Sequence, residues 1–263
     1  MFPYFTLFNR IIGMYPIMVL IGVFAVGIYV CNICKKNGYD DNIAIIFLLL
    51  VSIGVVLGGH ILYTIVNYKE IIYLVNNKES LNSLDGILNS FTTIFGGNIF
   101  YGGLLGGILA GIIYMKNKPQ NFYLADIVTP AIPLFHFFGR IGCFLGGCCF
   151  GIKSSFGITF HNSFVEIANG VSRFPVQLLE AIFNIILFFI LANFRKRGMF
   201  KDRLLYIYLL IYSIGRFFIE FLRGDSYRGF FFIFSTSQII SILIISFILI
   251  KLLYKIILKK DQR

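Results

Sequence analysis

The chain has 263 residues, of which 58% are hydrophobic and 13% are charged, and its mean hydropathy is +0.84. Soluble domains contain about 25% charged residues, so this composition excludes an ordinary soluble protein. The net charge of +11 would also suit a nucleic-acid-binding protein. Lysines and arginines at the edges of membrane segments explain it better, so we expect no nucleic-acid partner.

Apolar runs of about twenty residues, the length that crosses a bilayer, recur along the chain. We predict an all-α, polytopic membrane protein in which residues 1–263 form a single domain with about seven transmembrane helices. The predicted spans cover residues 11–34, 43–66, 99–115, 125–145, 176–194, 204–222 and 230–250. Residues 68–89 are too polar to cross a membrane and are predicted to be a loop or an amphipathic segment.

The distribution of positive charge predicts the orientation. Fourteen lysines and arginines follow the first, third, fifth and seventh spans, whereas seven lie at the opposite ends. Cytoplasmic loops carry the excess of such residues, so the amino terminus is predicted outside and the carboxyl terminus in the cytoplasm. The remaining two arginines, Arg140 and Arg216, lie within spans.

Polar side chains inside the predicted spans fall mostly toward their outer ends. Such groups need water or partners at membrane depth, so we expect a polar cavity open to the outer leaflet. The side chains are Tyr15, His60, Tyr101, Arg140, Gln177, Glu180, Tyr212, Arg216, Glu220 and Arg223.

One helix face carries a charged series. Tyr212, Arg216 and Glu220 are spaced by four residues, and Arg223 lies close to the same line. A structural Arg–Glu pair between helices is the simpler interpretation. A second intramembrane arginine, Arg140, favours a positively charged pocket for an anion, and the anion available at that depth is a phospholipid headgroup.

Glycines and cysteines follow two of these polar positions. In the segment 95–111, "FGGNIFYGGLLGGILAG", we expect Gly107 and Gly111 to permit close helix packing, and Gly102 and Gly103 to permit an irregular backbone beside a ligand. The segment "HFFGRIGCFLGGCCFG" places three cysteines near Arg140. A metal site is disfavoured because no C-x-x-C pair occurs there, and redox chemistry at Cys148 and Cys149 would depend on adjacency alone.

Several ordered motifs resemble the prolipoprotein diacylglyceryl transferase family along nearly the whole chain. "FYGGLLGG" is similar to the family's His-Gly-Gly motif. "ADIVTPAIPLFHFFGRIGCFLGGCCFG" is similar to the signature in which Gly-Arg-x-Gly precedes Asn-Phe-x-Asn-Gly-Glu and a later glycine. "SRFPVQLLEA" resembles His-Pro-Ser-Gln-Leu-Tyr-Glu, and "YSIGRFFIEFLRGD" has the family's Tyr, Arg, Glu and Arg spacing.

The resemblance implies an enzyme of the bacterial cytoplasmic membrane, facing the outer leaflet. It would transfer a diacylglyceryl group from phosphatidylglycerol to a cysteine thiol of a lipoprotein precursor, without metal or cofactor, and glycerol phosphate would leave. By this resemblance the catalytic residues are Tyr101, Arg140, Arg216 and Glu220. The substrate-binding residues are Tyr15, Gly102, Gly103, Gly139, Gly142, Cys143, Cys148, Gly151, Gln177, Glu180, Tyr212 and Arg223.

The sequence departs from the family pattern where protons are handled. Tyr101 stands in place of the motif's histidine, and Cys143, Gly146 and Cys148 stand in place of two asparagines and a glutamate. Tyr101 would act either as a phenolate base or as a hydrogen-bond donor to the lipid. Alternative functions are a transferase with a different acceptor, a non-catalytic phospholipid-binding relative and, with less support, a transporter.

Overall fold

A computed structural model of the protein describes residues 3–7, 10–69, 72, 83, 86, 90, 96–163, 165–225, 230, 231 and 233–261. Most of these residues are helical, as the sequence predicts. Most of the predicted polar interval 68–89 lies outside the described residues. Arg228, one of the seven basic residues predicted on the outer side, also lies outside them.

Short strands accompany the helices. Within the described ranges the α-helices are α1 (Met14–Lys36), α2 (Asp41–Val66), α3 (Phe100–Asn117), α4 (Tyr123–Val128), α5 (Ala131–Gly146), α6 (Val176–Lys196), α7 (Leu204–Ile219) and α8 (Thr236–Asp261). The strands form two-stranded antiparallel pairs: β1 (Tyr4–Leu7) with β2 (Arg10–Gly13), β3 (Lys153–Thr159) with β4 (Ser172–Arg173), and β5 (Phe230–Phe231) with β6 (Phe234–Ser235).

Five helical segments of the described chain are long and apolar enough to cross a membrane: α1, α2, α6, α7 with its following turn, and α8. The bent pair Pro119–Val128 and Ala131–Gly146 would be a sixth if it is counted as one span. These helices support a polytopic membrane protein. Seven spans and the orientation of the termini stay predictions. The predicted third span corresponds to α3, whose many glycines make it less apolar.

Three predicted spans differ from the structure by a break or by more than two residues at their start. The fourth span is not continuous, because the helix breaks between α4 and α5 at Thr129 and Pro130. Proline disfavours helical geometry in the residue before it, which explains the break. The first span begins three residues later than predicted, after a β-hairpin. The last begins at Thr236 instead of residue 230, because residues 230–235 include a second short hairpin.

Packing divides the described chain into two compact units, Met1–Tyr39 with Tyr123–Arg263 and Asp40–Phe122. In the first unit, α1 packs against α5, α5 against α6, α6 against α7, and α7 against α8. The chain after α5 forms a crossing of backbones around Gly151. A Cβ atom there would lie 2.3 Å from the Phe174 carbonyl oxygen and 3.0 Å from that of Leu222, so only glycine fits.

The second unit is built on the contact between α2 and α3. A Cβ atom on Gly102 would lie 2.4 Å from the Gly58 carbonyl oxygen, and one on Gly106 would lie 2.2 Å from that of Gly54. Gly107 and Gly111 face Val55 and Phe47 side chains, which confirms their predicted packing role. These glycines allow two helix backbones to approach closely.

The expectation of an irregular backbone at Gly102 and Gly103 is wrong. Both residues lie in the first turn of α3 and are helical. A Cβ atom on Gly103 would lie 3.1 Å from the Val55 carbonyl oxygen, so this glycine also faces α2. Backbone contact between helices explains the glycine pair without a ligand.

Candidate functional site

Glu180 is the centre of a buried ion-pair cluster in the first unit. Its Oε2 lies 2.9 Å from Arg140 Nη2 and 3.1 Å from Arg216 Nη1. The Glu180 side chain is 2% exposed, and each of the two arginine side chains is 7% exposed. The cluster therefore joins α5, α6 and α7 through a single carboxylate oxygen.

Arg216 has a second carboxylate partner on its own helix face. Its Nη2 lies 2.7 Å from Glu220 Oε2, at the predicted spacing of four residues. The same nitrogen donates a 3.3 Å hydrogen bond to Ser237 Oγ, in the first turn of α8. Glu220 is thus positioned to orient Arg216, and Ser237 contacts the same nitrogen from a fourth helix.

An aromatic group borders the cluster. His136 Nε2 lies 3.5 Å from Glu180 Oε1, and the His136 ring centroid lies 5.5 Å from that of Tyr212. Tyr212 in turn stacks on Tyr208, with centroids 5.7 Å apart. Tyr212 is 1% exposed. The predicted lining residue Tyr212 is thus next to the charged cluster, with His136 between it and Glu180.

Arg223 forms a separate pair at the end of the turn after α7. Its Nε donates a 2.9 Å hydrogen bond to Asp225 Oδ1, and its second contact is with Asp225 Oδ2. The backbone of Arg223 bridges that of Gly151. Arg223 is therefore fixed at the place where the loop after α5 meets the end of α7.

The three cysteines after Arg140 come together. The sulfur atoms of Cys143, Cys148 and Cys149 all lie within 4.8 Å of one another, and the three thiols are free. Cys143 is in the last turn of α5, and the other two are in the loop that follows. Arg140 Nη1 lies 4.0 Å from Cys143 Sγ, within hydrogen-bonding distance for sulfur. The thiol cluster is thus adjacent to the ion-pair cluster.

The backbone fixes the cysteine loop. Gly147 ends α5 in the left-handed conformation, with φ of 74°. Cys149 also has a positive φ, 55°, which is uncommon for a residue with a side chain. Gln177 Nε2 donates a 2.8 Å hydrogen bond to the Cys148 carbonyl oxygen, so α6 anchors the loop. Gln177 therefore acts on the loop backbone.

One thiol of the cluster ionises more readily than a free cysteine. The pKa of Cys149 lies well below its usual value, because the neighbouring Cys143 and Cys148 thiols and the Arg223 and Arg140 guanidinium groups favour its negative charge. The neighbouring thiols and guanidinium groups together outweigh the effect of burial, which would raise this pKa.

The charge balance of the site differs from the sequence estimate. The sequence suggested two arginines against one carboxylate, which would leave a positive pocket. In the structure Arg140 and Arg216 are paired with Glu180 and Glu220, and Arg223 is paired with Asp225. A further buried cation, Arg173, donates to the Gly151 and Ile167 carbonyl oxygens. Sequence reasoning placed Glu180 near the pocket but did not count it as a partner of both arginines. The three arginines predicted at the pocket thus have three carboxylate partners, and their charge alone does not indicate a bound anion.

The other predicted site residues are divided between the two compact units. Tyr15 lies against Gly142, where a Cβ atom would be 3.1 Å from the Tyr15 ring, so these two residues join α1 to α5. Gly139 is helical, and a Cβ atom on it would meet nothing within 4 Å. Tyr101, with Gly102 and Gly103, belongs to the second unit, where Tyr101 is 1% exposed.

Sequence reasoning missed three contributors. His136 was not among the predicted site residues, and it does not belong to the group of three clustered cysteines. Its spacing of four residues from Arg140, on one helix face, could have indicated a place beside the cluster. Asp225 follows Arg223 by two residues, and Ser237 had no distinguishing signal.

Comparison with known proteins identifies the family of this chain. A family model described as prolipoprotein diacylglyceryl transferase matches residues 4–254. A phosphatidylglycerol–prolipoprotein diacylglyceryl transferase of Clostridium tetani is 36% identical over 90% of this chain and 91% of its own length. A second such protein, of Clostridium perfringens, is 36% identical over 91% of this chain and 89% of its own length.

A relative with the same name in Clostridioides difficile is 33% identical over 84% of this chain and 83% of its own length. The match to the family model covers almost the whole chain, and the relatives match over most of both lengths. The resemblance seen in the motifs is thereby confirmed, and the chain belongs to the prolipoprotein diacylglyceryl transferase family.

Proposed function

We propose that this protein transfers the diacylglyceryl group of phosphatidylglycerol to a cysteine thiol of a lipoprotein precursor. The names of the relatives specify this donor and this acceptor for those proteins. Both arginines expected to act on the phosphate belong to one buried cluster, together with Glu180 and Glu220.

The observation that supports the proposal most strongly is the convergence of Arg140 and Arg216 on Glu180 Oε2. Their separation in sequence is large, yet their guanidinium groups approach one oxygen from two helices. Each guanidinium has five N–H donors. Arg140 is paired with Glu180, and Arg216 with Glu180, Glu220 and Ser237, so both keep donors for a phosphate. Arg140 Nε is buried and has no hydrogen-bond partner among the described residues.

The reaction would use this arrangement for electrostatic stabilisation. The acceptor thiolate attacks the diacylglyceryl carbon that is bonded to the phosphate oxygen. A carbon–sulfur bond forms, the carbon–oxygen bond breaks, and its electron pair leaves with glycerol phosphate. The phosphodiester has one negative charge and the departing phosphomonoester two, so the added charge develops on oxygens beside Arg140 and Arg216. Fixed donors at such a place lower the barrier more than they strengthen substrate binding.

Glu180 and Glu220 would hold the arginines in position before substrate binds. A buried guanidinium without a partner is costly, and a flexible one would have to reorganise during the reaction. The two carboxylates give the guanidinium groups partners and hold them in place before the reaction. The proposed roles are therefore phosphate contact for Arg140 and Arg216, and orientation of the arginines for Glu180 and Glu220.

We place the reaction in a bacterial cytoplasmic membrane, with the site toward the outer leaflet. The family and the apolar helices support a bacterial membrane protein. The outward orientation depends on the lysine and arginine distribution of the sequence. A cysteine introduced at exposed Lys153, and modified by a membrane-impermeant maleimide in intact cells, would test the side of the membrane.

A transfer assay tests the reaction. The purified full-length protein is mixed with vesicles containing phosphatidylglycerol and with a synthetic peptide that carries one lipoprotein-type cysteine, and the peptide mass is measured. We expect the diacylglyceryl mass increment and release of glycerol phosphate. Arg216→Lys should lower the rate by about 10²–10³-fold, the range for loss of one preorganised donor, because lysine lacks the bidentate fork.

Exposed Arg197→Lys is the matched control and should leave the rate unchanged. Equal rates in parent and Arg216→Lys would contradict the role of the cluster. The alternatives give different results in the same assay. A different acceptor predicts loss of phosphatidylglycerol without modification of the peptide. A non-catalytic lipid-binding relative predicts vesicle binding without product.

A further inference from the structure

The proposed reaction leaves the three clustered cysteines without a task. Cys143, Cys148 and Cys149 are free thiols, and their sulfur atoms all lie within 4.8 Å of one another. Cys143 is 8% exposed, and the other two are half-buried. The sequence offered the adjacency of Cys148 and Cys149 as the one reason for redox chemistry. The structure adds a third thiol, from the last turn of α5.

The way in which α5 ends explains why the three thiols meet. Gly147 is in the left-handed conformation, and its N–H donates a 3.3 Å hydrogen bond to the Phe144 carbonyl oxygen. The Cys148 N–H donates a 3.1 Å hydrogen bond to the Cys143 carbonyl oxygen. These two hydrogen bonds define a Schellman motif, which folds the chain back over the end of a helix. The motif therefore brings Cys148 and its neighbour Cys149 onto Cys143.

The positions of the sulfur atoms suit a disulfide. A disulfide bond is about 2.0 Å long, so sulfurs within 4.8 Å of one another need to approach by no more than about 2.8 Å. A Cβ atom on Gly146 would meet nothing within 4 Å, so the turn has room to adjust. A bond between the adjacent Cys148 and Cys149 would close an eight-membered ring and strain their peptide bond. Cys143 is therefore the better partner for a loop thiol.

Cys149 is the thiol of the cluster best suited to react first. It lies in the loop beyond α5, it is half-buried, and its backbone has a φ of 55°. Its pKa is lowered, chiefly by the neighbouring Cys143 and Cys148 thiols, so its reactive thiolate forms readily. A thiolate that is accessible and has a second thiol beside it is the arrangement of redox-sensing cysteines.

We propose that Cys149 is oxidised by hydroperoxides, that Cys143 converts the oxidised product into a disulfide, and that this disulfide slows the transfer reaction. The oxidation site is independent of the function proposed above. The effect on transfer depends on that function. A free third thiol, that of Cys148, remains beside the disulfide.

The chemistry needs one hydroperoxide for each disulfide. The Cys149 thiolate attacks the terminal oxygen of the hydroperoxide, a sulfur–oxygen bond forms, and the oxygen–oxygen bond breaks. The product is a sulfenic acid, and the leaving hydroxide or alkoxide takes a proton to become water or an alcohol. The Cys143 thiol then attacks the sulfenic sulfur, and the departing hydroxide leaves as water with the thiol proton. The two sulfurs lose two electrons, which reduce the peroxide, and a dithiol reverses the step by exchange.

The disulfide would reach the transfer site through the last turn of α5. Arg140 is three residues before Cys143, and its Nη1 lies 4.0 Å from Cys143 Sγ. Arg140 is also paired with Glu180, so movement of Cys143 toward Cys149 disturbs the turn that carries this shared contact. A displacement of about 1 Å at a reaction centre can cost about 10²-fold in rate. We therefore expect oxidation to lower the transfer rate by about tenfold or more.

Oxidation can be tested without the transfer reaction. The purified full-length protein in detergent is reduced, desalted, treated with hydrogen peroxide and alkylated, and its cysteines are mapped by mass spectrometry. We expect a disulfide between Cys143 and Cys149 that dithiothreitol reverses. In Cys143→Ser, dimedone should instead trap a sulfenic acid on Cys149. In Cys149→Ser, neither product should form.

Cys31→Ser is the matched control, because Cys31 is a half-buried free thiol outside the cluster. This variant should form the disulfide at the parental rate. Oxidation of Cys31 as fast as of Cys149 in the parent would overturn the site. The same conclusion would follow from a disulfide that joins Cys148 to either neighbour in place of the proposed pair.

The effect on transfer has its own test. The rate of each protein is measured before peroxide, after peroxide and after dithiothreitol, and is compared with its own untreated rate. Parent and Cys31→Ser should lose about tenfold or more and recover, whereas Cys149→Ser should keep its own rate. Unchanged transfer by the disulfide-bonded parent would overturn the regulatory role. Formation of the disulfide without transfer by the reduced parent would instead refute the proposed function and leave the oxidation site intact.

Discussion

The two compact units use opposite means to hold membrane helices together. In Asp40–Phe122, α2 and α3 meet through glycines, and their backbones come so close that a Cβ atom on Gly58 would lie 2.3 Å from the Gly102 carbonyl oxygen. In the other unit, α5, α6 and α7 meet through the Arg140–Glu180–Arg216 cluster. The contact between α2 and α3 depends on glycines, which have no side chain. The contact among α5, α6 and α7 depends on long charged side chains.

The difference shows what each contact can do besides packing. Glycine-mediated contact fills the space between helices with backbone and leaves no group for chemistry. Charged side chains keep the helices farther apart and present donors that a substrate can use. The glycine-rich segment and the charged segments both resemble motifs of the family. Of the two contacts, the charged one provides groups suited to phosphate binding. The substitutions below perturb each contact in turn.

The largest effect is expected at the centre of the charged cluster. Glu180→Ala leaves Arg140 and Arg216 buried without their shared partner. Removal of one member of a buried ion pair typically costs about 3–5 kcal/mol of stability. Thermal unfolding in detergent, followed by circular dichroism, should show a markedly lower midpoint, and transfer activity should disappear. Exposed Glu166→Ala is the control and should unfold as the parent does.

Glu180→Gln separates charge from volume. It keeps the side-chain size and should lose less stability than Glu180→Ala, while it still lowers activity. Unchanged stability in Glu180→Ala would mean that the arginines are not held through this carboxylate, and the comparison between the units would fail.

The glycine contact should respond to added volume. Gly58→Ala places a methyl group against the Gly102 backbone, and backbone cannot move aside as a flexible side chain can. Overpacking typically costs about 1–3 kcal/mol. Gly27→Ala in α1, where a Cβ atom would meet nothing within 4 Å, is the control and should be neutral or stabilising. Equal unfolding midpoints for the two variants would show that α2 and α3 separate easily.

The glycine contact and the charged cluster are predicted by the sequence to different extents. Helix positions followed from apolar runs, and Gly107 and Gly111 were correctly expected to pack. Gly102 and Gly103 were misinterpreted because a glycine in a sequence does not show whether a ligand or a neighbouring helix occupies the space. The Arg216–Glu220 pair followed from spacing on one helix. The sharing of Glu180 depends on tertiary packing of three helices, which spacing does not reveal.

A smaller effect should distinguish two glycines with similar predicted roles. Gly139 is helical like Gly102, but a Cβ atom there meets nothing within 4 Å. Gly139→Ala should therefore raise helix stability by about 1 kcal/mol. We expect the transfer rate to fall, because the methyl group occupies open space one residue before Arg140. Unfolding and transfer are measured on the same preparation, and a parental rate in the stabilised variant would remove Gly139 from the substrate site.

The smallest effect is expected at Tyr101, in the second unit. If the Tyr101 hydroxyl only donates a hydrogen bond to the lipid, its contribution is about 1 kcal/mol. Tyr101→Phe should then lower transfer about fivefold and leave the shape of the pH profile unchanged. Tyr101→His, which restores the residue of the family motif, should give no large gain. A phenolate base makes the opposite prediction: the parent rate rises with pH toward the ordinary tyrosine pKa near 10, and Tyr101→Phe abolishes that rise. The pH profiles of the parent and both variants therefore decide whether Tyr101 acts as a base or only as a hydrogen-bond donor.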